Sequence, residues 1–362
     1  MQYDSVIFIN GREIAVDKAA YFIADIASNH DGNLDRAKNL IRLAKDAGAD
    51  AVKFQHFKAN KIVSDYGFKN LGGQISHQSS WKKSVFEVYK QYECNREWSE
   101  ELANAAKEVG IDFMTTPYDE KAIALLDHYI PAYKIGSGDI TWTVFIEMVA
   151  RKGKPVILAT GASSMADVVR AVNAVIKYNR QIVLLQCNTN YTGSIENFRH
   201  INLKVLQTYA ITFPNMLLGL SDHTPGHSSV LGAISLGARV IEKHFTDDNT
   251  REGPDHAFSM NPKTWHEMIE RSRDLELSLG DGIKIVEENE TDTIVVQRRC
   301  LRFVRDMKAG EKINLEDLEA LRPAPINSVP PFKLNDMVGK LLSVSKVAGD
   351  ALYYSDIKEP LC

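Results

Sequence analysis

The first part of the chain repeats one pattern of apolar and polar positions, in which an amphipathic helix ends at a glycine and a short apolar strand follows. The first such helix has Asn33 as a predicted N-cap and carries Leu40, Ile41 and further apolar residues on one face. Glycine suits the left-handed position after a helix end, and the helices with this signal end at Gly48, Gly110, Gly153 and Gly237. The pattern predicts alternating helices and strands.

Apolar runs in this region predict eight strands, over residues 21–27, 51–55, 113–116, 132–135, 156–159, 182–187, 216–219 and 240–245. Eight strands that alternate with helices over about 260 residues fit a closed parallel barrel of the α/β class, the (β/α)8 or TIM barrel. No GxGxxG motif follows the first strand, which would have favoured an open nucleotide-binding sheet. Before that strand, two β-type runs flank Asn10-Gly11, a dipeptide that suits a type I′ turn, and predict an N-terminal hairpin over residues 5–16.

The repeat stops near Gly280, and the sequence becomes charged through residues 287–292. We therefore predict a barrel domain over residues 1–284, a linker over 285–297 and a small mixed domain over 298–362. At about 65 residues this last domain would be marginal alone and is expected to pack on a larger body. Within the barrel, segment 57–93 is long for a connection between a strand and a helix, and such segments are lids, binding loops or disordered.

The charge balance is close to neutral, because 43 Lys and Arg residues stand against 47 Asp and Glu residues in a chain of 362 residues. The resulting charge of −4, with 44% hydrophobic residues, argues for a globular protein and against a general binder of nucleic acid or membrane surfaces. No apolar run is long enough for a membrane span, and the first residues do not form a leader, so we expect a cytoplasmic protein. The cysteines are too far apart for a disulfide framework or a CxxC zinc site and are expected to be reduced: Cys94, Cys187, Cys300 and Cys362.

Polar residues at the C-terminal strand ends are the candidates for chemistry, because in a barrel of this class these ends open into one shared mouth. They are Asp25, Asn29, His30, Lys53, Gln55, Thr115, Thr116, Lys134, Ser137, Asp139, Asn188, Thr189, Asn190, Tyr191, Ser221, Asp222, His223, Lys243 and His244. Lysines, hydroxyl groups, carboxylates and histidines are therefore expected to face a single cavity.

Lys53 and Lys134 lie among apolar neighbours on different strands, where an unpaired ammonium group is costly to desolvate. Two interpretations follow from this cost. In the first, the lysines hold the phosphate and carboxylate groups of a substrate, together with hydroxyls and backbone N–H groups. In the second, they form ion pairs with Asp25 or Asp139 inside the barrel.

His223 and His244 come from neighbouring strands and are both expected at the mouth. Two imidazoles in this arrangement can share a metal ion and leave positions for water and substrate, although hydrogen-bonded structural histidines are the alternative. His30 directly precedes a helix, so a turn or capping role is as compatible with its position as a catalytic one. No HxH motif lies on the first strand, which disfavours a two-metal site of the amidohydrolase type.

Several segments together resemble the sialic acid (N-acetylneuraminate) synthase family, and the similarity extends over nearly the whole chain. The barrel segments are FIADIASNHDGN at 22–33, AVKFQ at 51–55, TP at 116–117, IPAYKIGSG at 130–138, GLSDHT at 219–224, EKHFT at 242–246, GPD at 253–255 and SMNP at 259–262. In the tail, RCL at 299–301, DMKAGE at 306–311, DL at 317–318 and RP at 322–323 resemble the small antifreeze-like (SAF) domain of that family.

The resemblance implies a transferase that condenses phosphoenolpyruvate with the open-chain aldehyde of an N-acylamino sugar and forms phosphate and a 3-deoxy-2-ulosonic acid. The implied contacts to phosphoenolpyruvate come from Lys53, Gln55, Thr116, Lys134, Ser137, Thr189 and Ser221. The implied ligands of a divalent cation, Mn²⁺ or Mg²⁺, are His223 and His244, and these act in catalysis with Asp25, Lys53, Lys134 and Asp139. The implied sugar contacts are Asp25, Tyr191, Asp255 and Arg322, the last supplied by the partner subunit of a domain-swapped homodimer.

Some positions depart from the family pattern at the expected site. Asp25 and Asp139 stand where the family has glutamate, Ala159 where it has serine and Thr189 where it has asparagine, and the loop after Arg322 lacks the usual glycines. Each shorter carboxylate draws its charge back toward the wall of the site. We therefore expect a related but different acceptor: a mannosamine-type sugar, a diamino-dideoxy sugar of the legionaminic or pseudaminic type, or a less usual one.

Two other classes of function fit the same residues. Barrel lysines form Schiff bases in aldolases and lyases, and borohydride with pyruvate would then trap an adduct on Lys53 or Lys134. The remaining class is a barrel retained as a binding or scaffold protein, which would release no phosphate from phosphoenolpyruvate and take up no metal.

Overall fold

An antiparallel hairpin of β1 (Val6–Ile9) and β2 (Arg12–Ala15) comes first in this computed structural model, which describes residues 3–358. Asn10 and Gly11 have φ values of 48° and 82°, and a type I′ turn requires a positive φ at both positions. Apolar residues of one hairpin face pack with the interior residues of the barrel that follows: Ile7, Ile9 and Ile14. The predicted hairpin is confirmed, and it covers the end of the barrel where the strands begin.

Eight parallel strands close into the predicted barrel. They are β3 (Tyr21–Asp25), β4 (Ala51–His56), β5 (Asp112–Pro117), β6 (Tyr133–Ile135), β7 (Val156–Ala159), β8 (Ile182–Cys187), β9 (Leu217–Asp222) and β10 (Ala238–His244). Each strand pairs with the next along the chain, and β10 also pairs with β3, which closes the barrel. The predicted (β/α)8 fold is confirmed. The largest difference lies in β9, which continues beyond residue 219 and therefore includes Ser221 and Asp222.

Helices surround the barrel and begin and end largely where the pattern predicts. In this unit they are α1 (Leu34–Asp46), α2 (Ala59–Ile62), α3 (Asp65–Lys69), α4 (Val85–Gln91), α5 (Ser99–Val109), α6 (Glu120–Leu126), α7 (Thr143–Ala150), α8 (Met165–Ile176), α9 (Val205–Thr212), α10 (Ser228–Ser235) and α11 (Pro262–Ser278). Asn33 caps α1 by accepting a hydrogen bond from the backbone N–H of Arg36, and Gly48 follows this helix with a φ of 91°. The cap satisfies one of the free N–H groups at the helix start.

Two apolar layers hold the barrel together. Residues that point outward from the strands pack beneath the helices, and residues that point inward from the strand starts pack with the hairpin. The alternation of strand side chains between these layers leaves the inward-facing residues at the opposite strand ends for the site. Segment 57–93 contains α2, α3 and α4, so it folds into short helices and is not a loop without secondary structure.

The chain divides into two compact units between Gly280 and Asp281. The second unit contains α12 (Thr291–Gln297), β11 (Cys300–Phe303), β12 (Leu318–Leu321) and α13 (Leu334–Met337). Part of the predicted linker is thus a short helix. Leu301, Phe303, Ile313 and Leu352 belong to the separate apolar core of this unit.

Within residues 3–358, no helix combines the length and the apolar character that crossing a bilayer would require. Cys94, Cys187 and Cys300 are buried and unbridged, and Cys362 lies outside the described residues.

Candidate active site

Both predicted lysines are buried at the barrel mouth and are paired with carboxylates of the chain itself. Lys53 Nζ lies 2.7 Å from Asp25 Oδ2, and Lys134 Nζ lies 3.0 Å from Glu242 Oε1. Lys53 also lies 3.8 Å from Glu242 Oε2, so the four side chains form one cluster. These contacts match the ion-pair interpretation, but the partner of Lys134 is Glu242 and not Asp139.

The electrostatics of this cluster keep Asp25, Glu242 and Lys53 charged. Burial by itself raises the pKa of Asp25 and Glu242, but the neighbouring lysines outweigh it and lower both pKa values from their usual range. Burial by itself lowers the pKa of Lys53, but the carboxylates of Asp25 and Glu242 raise it above its usual value. Lys53 is consequently protonated at neutral pH.

Glu242 is the member of this charge cluster that the sequence analysis did not identify. It occupies β10 two positions before His244, so the two side chains share the inward face of the strand. This alternation was available from the sequence and would have identified Glu242. The prediction that Lys243 faces the mouth is wrong. Its side chain points to the other side of β10, where it forms a buried ion pair of 2.5 Å with Asp222.

Hydroxyl and amide groups surround the charge cluster. Gln55 donates to Asp25 Oδ2 at 3.1 Å, Lys53 donates to Thr116 Oγ1 at 3.4 Å, and Ser221 donates to Glu242 Oε1 at 3.0 Å. These contacts join side chains from five strands into one polar lining.

A second group of predicted residues meets around Gly161. Its backbone N–H donates to Ser137 Oγ at 2.9 Å, and a Cβ at this glycine would lie 2.4 Å from Thr189 Cγ2. No side chain fits between these residues, so Gly161 permits the close approach of Ser137 and Thr189. The buried thiol of Cys187 forms hydrogen bonds with the side chains of Ser137 and Ser221. It therefore links the residues around Gly161 with the charge cluster.

Asp139 lies in the turn of residues Ser137–Asp139 that follows β6. Its Oδ2 is buried and has no hydrogen-bond partner among the described residues. Burial raises the pKa of this carboxyl to about 6. An unpartnered carboxylate with such a pKa can take up or release a proton near neutral pH.

His223 and His244 face each other with 5.2 Å between their ring centroids, as predicted for neighbouring strand ends. His223 Nδ1 lies 2.8 Å from the carbonyl oxygen of Asn188, so this nitrogen carries the proton and Nε2 keeps a lone pair. Burial, followed by the charge of His244, lowers the pKa of His223 to about 3, so its ring is neutral. In His244, Nδ1 is buried without a partner among the described residues, and Nε2 lies 3.6 Å from Asp25 Oδ2.

His223 has the electronic state that a metal requires, namely a neutral imidazole with an available lone pair, and His244 offers a buried nitrogen without a partner among the described residues. Residues 3–358 contain no group of three or more His, Cys, Asp or Glu side chains arranged to hold a metal ion. A metal bound by His223 and His244 would thus complete its coordination with water or substrate atoms.

A cavity opens beside these residues, and segment 57–93 forms much of its wall. From the barrel it is lined by Gln55 and His244, and from the segment it is lined by Phe57, Trp81, Tyr89 and Tyr92, among others. Tyr191 and Asp255, both predicted to contact a sugar, also line it. Gln55 connects the cavity with the charge cluster through its hydrogen bond to Asp25.

The sequence left two roles open for His30, a turn or capping role and a catalytic one, and its contacts are those of the turn role. Its Nδ1 accepts a hydrogen bond of 3.0 Å from the backbone N–H of Gly32, and the ring packs against Trp98 and Phe54. Mainly through burial, the pKa of His30 falls to about 4. Arg322 belongs to the second unit, where its side chain is exposed.

The comparisons with known proteins match both units. A model described as the NeuB family matches residues 40–284, and a model described as the SAF domain matches residues 298–358. The chain is 36% identical to the N,N'-diacetyllegionaminic acid synthase of Legionella pneumophila, over 93% of this chain and 94% of that protein. It is 35% identical to the human N-acetylneuraminate-9-phosphate synthase, over 94% of each chain.

Among solved structures, the N-acetylneuraminic acid (sialic acid) synthetase of Leptospira borgpetersenii, crystallised with citrate, superposes with a TM-score of 0.70. Sequence identity is 26%, and the match covers 81% of this chain and 96% of that one. The predicted family resemblance is therefore confirmed by sequence and by structure.

Proposed function

The chain belongs to the NeuB family, and from this membership we propose that it condenses phosphoenolpyruvate with the open-chain aldehyde of an N-acylamino sugar. The products are phosphate and a sialic-acid-like 3-deoxy-2-ulosonic acid. The observation that carries the proposal is the buried pair Lys53 and Lys134, which lies at the barrel mouth beside two histidines and an open cavity.

In this proposal Lys53 and Lys134 bind the phosphate and carboxylate groups of phosphoenolpyruvate. Further donors come from the surrounding polar residues: Gln55, Thr116, Ser137, Thr189 and Ser221. An ammonium group has three N–H donors, and the contact of Lys134 with Glu242 engages one of them. Each lysine can therefore bind an anion and keep the carboxylate that offsets the cost of its burial.

The reaction joins C3 of phosphoenolpyruvate to the aldehyde carbon, whose oxygen becomes an alkoxide and takes up a proton. Positive charge develops at C2, and water adds there with loss of one proton. The new C2 hydroxyl then gives its remaining proton to the departing phosphate as the C2–O bond breaks and the ketone forms. Asp139 stabilises this cation and accepts the proton of the water, because it has an unpartnered buried oxygen and a pKa of about 6. Asp25 keeps Lys53 and Gln55 in place through two hydrogen bonds.

His223 and His244 are the residues that would hold a divalent cation, Mn²⁺ or Mg²⁺. Such an ion, when bound, supplies Lewis-acid stabilisation to the alkoxide that develops on the aldehyde oxygen. The lone pair of His223 Nε2 and the unpartnered Nδ1 of His244 support this assignment.

At the sugar end, Tyr191 and Asp255 are proposed to contact the acceptor together with Arg322 of the partner subunit in a homodimer. The acceptor is an N-acetylmannosamine-type or diamino-dideoxy sugar, the classes that the named relatives suggest.

A phosphate-release assay with phosphoenolpyruvate, Mn²⁺ and a panel of amino sugars tests the proposal, and the mass of the keto-acid product identifies the acceptor. Borohydride trapping with pyruvate distinguishes the Schiff-base alternative. That alternative needs a neutral lysine, and the raised pKa of Lys53 disfavours one. A trapped adduct together with indifference to chelator would refute the proposal.

The rate is expected to depend on the ionisation of Asp139. As pH falls through about 6 the carboxylate becomes protonated and neutral, so kcat should decline below that pH. Asp139→Asn should lower kcat by about 10²-fold, and the residual rate should lose this acid limb. A pH profile of kcat for both proteins checks this, and an acid limb that persists in the variant would assign the titration to another group.

Asp25→Glu should change acceptor preference, because the added methylene moves a fully buried carboxylate toward Gln55 and the cavity. Relative kcat/KM values across the sugar panel measure the effect, with Asp17→Glu in an exposed position as the control. An unaltered profile would show that the length of this side chain does not select the acceptor.

A further inference from the structure

The loop that follows β10 carries Asp255 to the wall of the cavity. One oxygen of Asp255 accepts a hydrogen bond of 3.1 Å from the backbone N–H of Ser28, which also lines the cavity. The neighbouring residue, His256, is fully buried and is absent from the cavity lining. Any effect of His256 on a substrate is therefore transmitted through the loop.

His256 lies in the middle of a buried hydrogen-bonded chain. Its Nε2 lies 2.9 Å from Asp31 Oδ1, and its Nδ1 lies 2.7 Å from Thr246 Oγ1. A proton on Nε2 satisfies both contacts, because Nε2–H then donates to the carboxylate and Nδ1 accepts from the hydroxyl. The ring therefore connects the turn before α1 with the end of the barrel wall after β10.

The surroundings hold this chain in one arrangement. Asp31 also pairs with Arg36 at 3.1 Å and with Arg251 at 2.9 Å. Asn249 Nδ2 donates to the carbonyl oxygen of His256 at 2.9 Å. A Cβ at residue 253 would lie 2.6 Å from His256 Cδ2, so Gly253 allows the loop to pass directly over the ring.

We propose that His256 is a positioning residue for acceptor binding: the chain Asp31–His256–Thr246 fixes the loop so that the Asp255 carboxylate faces the cavity. This inference rests on the proposed function, in which Asp255 contacts the sugar. Loss of the chain leaves phosphoenolpyruvate binding intact, because no member of it touches Lys53 or Lys134 in the described contacts.

The test compares two substitutions of His256 with a matched control. His256→Leu fills the space without polar atoms, whereas His256→Gln keeps an N–H group able to reach Asp31. His256→Leu should raise the KM for the sugar by about tenfold, since a small misplacement of a binding group costs that much or more. The KM for phosphoenolpyruvate should stay unchanged, and His256→Gln should recover most of the loss. His266→Leu, at an exposed histidine of α11, should leave both KM values unaltered.

Thr246→Val breaks the other end of the chain with little change in shape, and it keeps the test decisive if His256→Leu fails to fold. It should shift the same KM by a smaller factor. Hydrogen exchange should increase in residues 246–259 of both variants and remain unchanged elsewhere in the barrel. An unchanged KM for the sugar in Thr246→Val or in folded His256→Leu, or equal changes in both KM values, would overturn the inference.

The two proposals can fail separately. If the unmodified protein releases no phosphate with any sugar, the proposed function fails, and the exchange experiment alone decides the positioning role. Unaltered exchange in residues 246–259 then overturns it.

Discussion

His244→Ala is expected to reduce turnover in Mn²⁺ by about 10³-fold, since it removes one of two imidazoles proposed to hold the ion that stabilises the alkoxide. The fold should persist, because Nδ1 of His244 has no hydrogen-bond partner among the described residues and the change leaves no buried group newly unpaired. Steady-state kinetics measure the loss of activity, and the electron paramagnetic resonance signal of free Mn²⁺ measures the loss of binding.

His266→Ala provides the control, since this histidine is exposed on α11 and pairs with Glu270 across one helical turn. It should retain both metal binding and activity. Full activity of the chelated protein, or unchanged Mn²⁺ binding in His244→Ala, would remove these histidines from the mechanism.

Lys134→Met should raise the KM for phosphoenolpyruvate by about 10²-fold, because a charge-assisted contact to a buried anion is lost. It should also lower the free energy of unfolding by about 3–5 kcal/mol, since Glu242 loses its nearest cation and keeps only Lys53 at 3.8 Å. Kinetics and denaturant unfolding measure the two effects.

A double variant separates the two effects of this substitution. In Lys134→Met with Glu242→Gln no buried charge is left uncompensated, so stability should largely return while the KM stays high. Lys177→Met, which breaks an exposed pair with Glu147, should change neither quantity appreciably. If the double variant regains a normal KM, Lys134 supports the fold and does not bind the substrate.

The stability of the site depends on pH through the same carboxylates. The pKa values of Asp25 and Glu242 are lowered in the folded state, so their contribution is present above their unfolded pKa values and is lost as pH falls through the folded ones. Asp139 changes stability in the opposite direction, because its pKa is raised to about 6 in the folded state. Stability therefore falls as pH rises from the ordinary pKa of this carboxyl to about 6.

The sequence was sufficient for the barrel because the information is local and repeated. Amphipathic helices, glycines at helix ends and apolar strands each follow from side-chain chemistry within a few residues, and their regular order admits few topologies. The rule that strand ends meet at one mouth then brought together residues as distant as Asp25 and His244. Strand alternation would also have separated Glu242 from Lys243, which lie on opposite faces of β10.

Partner choice depended on the tertiary structure, because it is set by distances between side chains from different strands. Lys134 could have paired with Asp139 or with Glu242, and only the barrel geometry places Glu242 3.0 Å from it. The same geometry leaves Asp139 Oδ2 without a hydrogen-bond partner among residues 3–358. It also brings Asp31, His256 and Thr246 into one chain across 225 residues of sequence. Sequence pattern therefore determined which residues face the mouth, whereas packing decided which of them touch. The physical reason is that the energy of a contact depends steeply on the distance between two side chains, and the spacing of residues along the sequence does not give that distance.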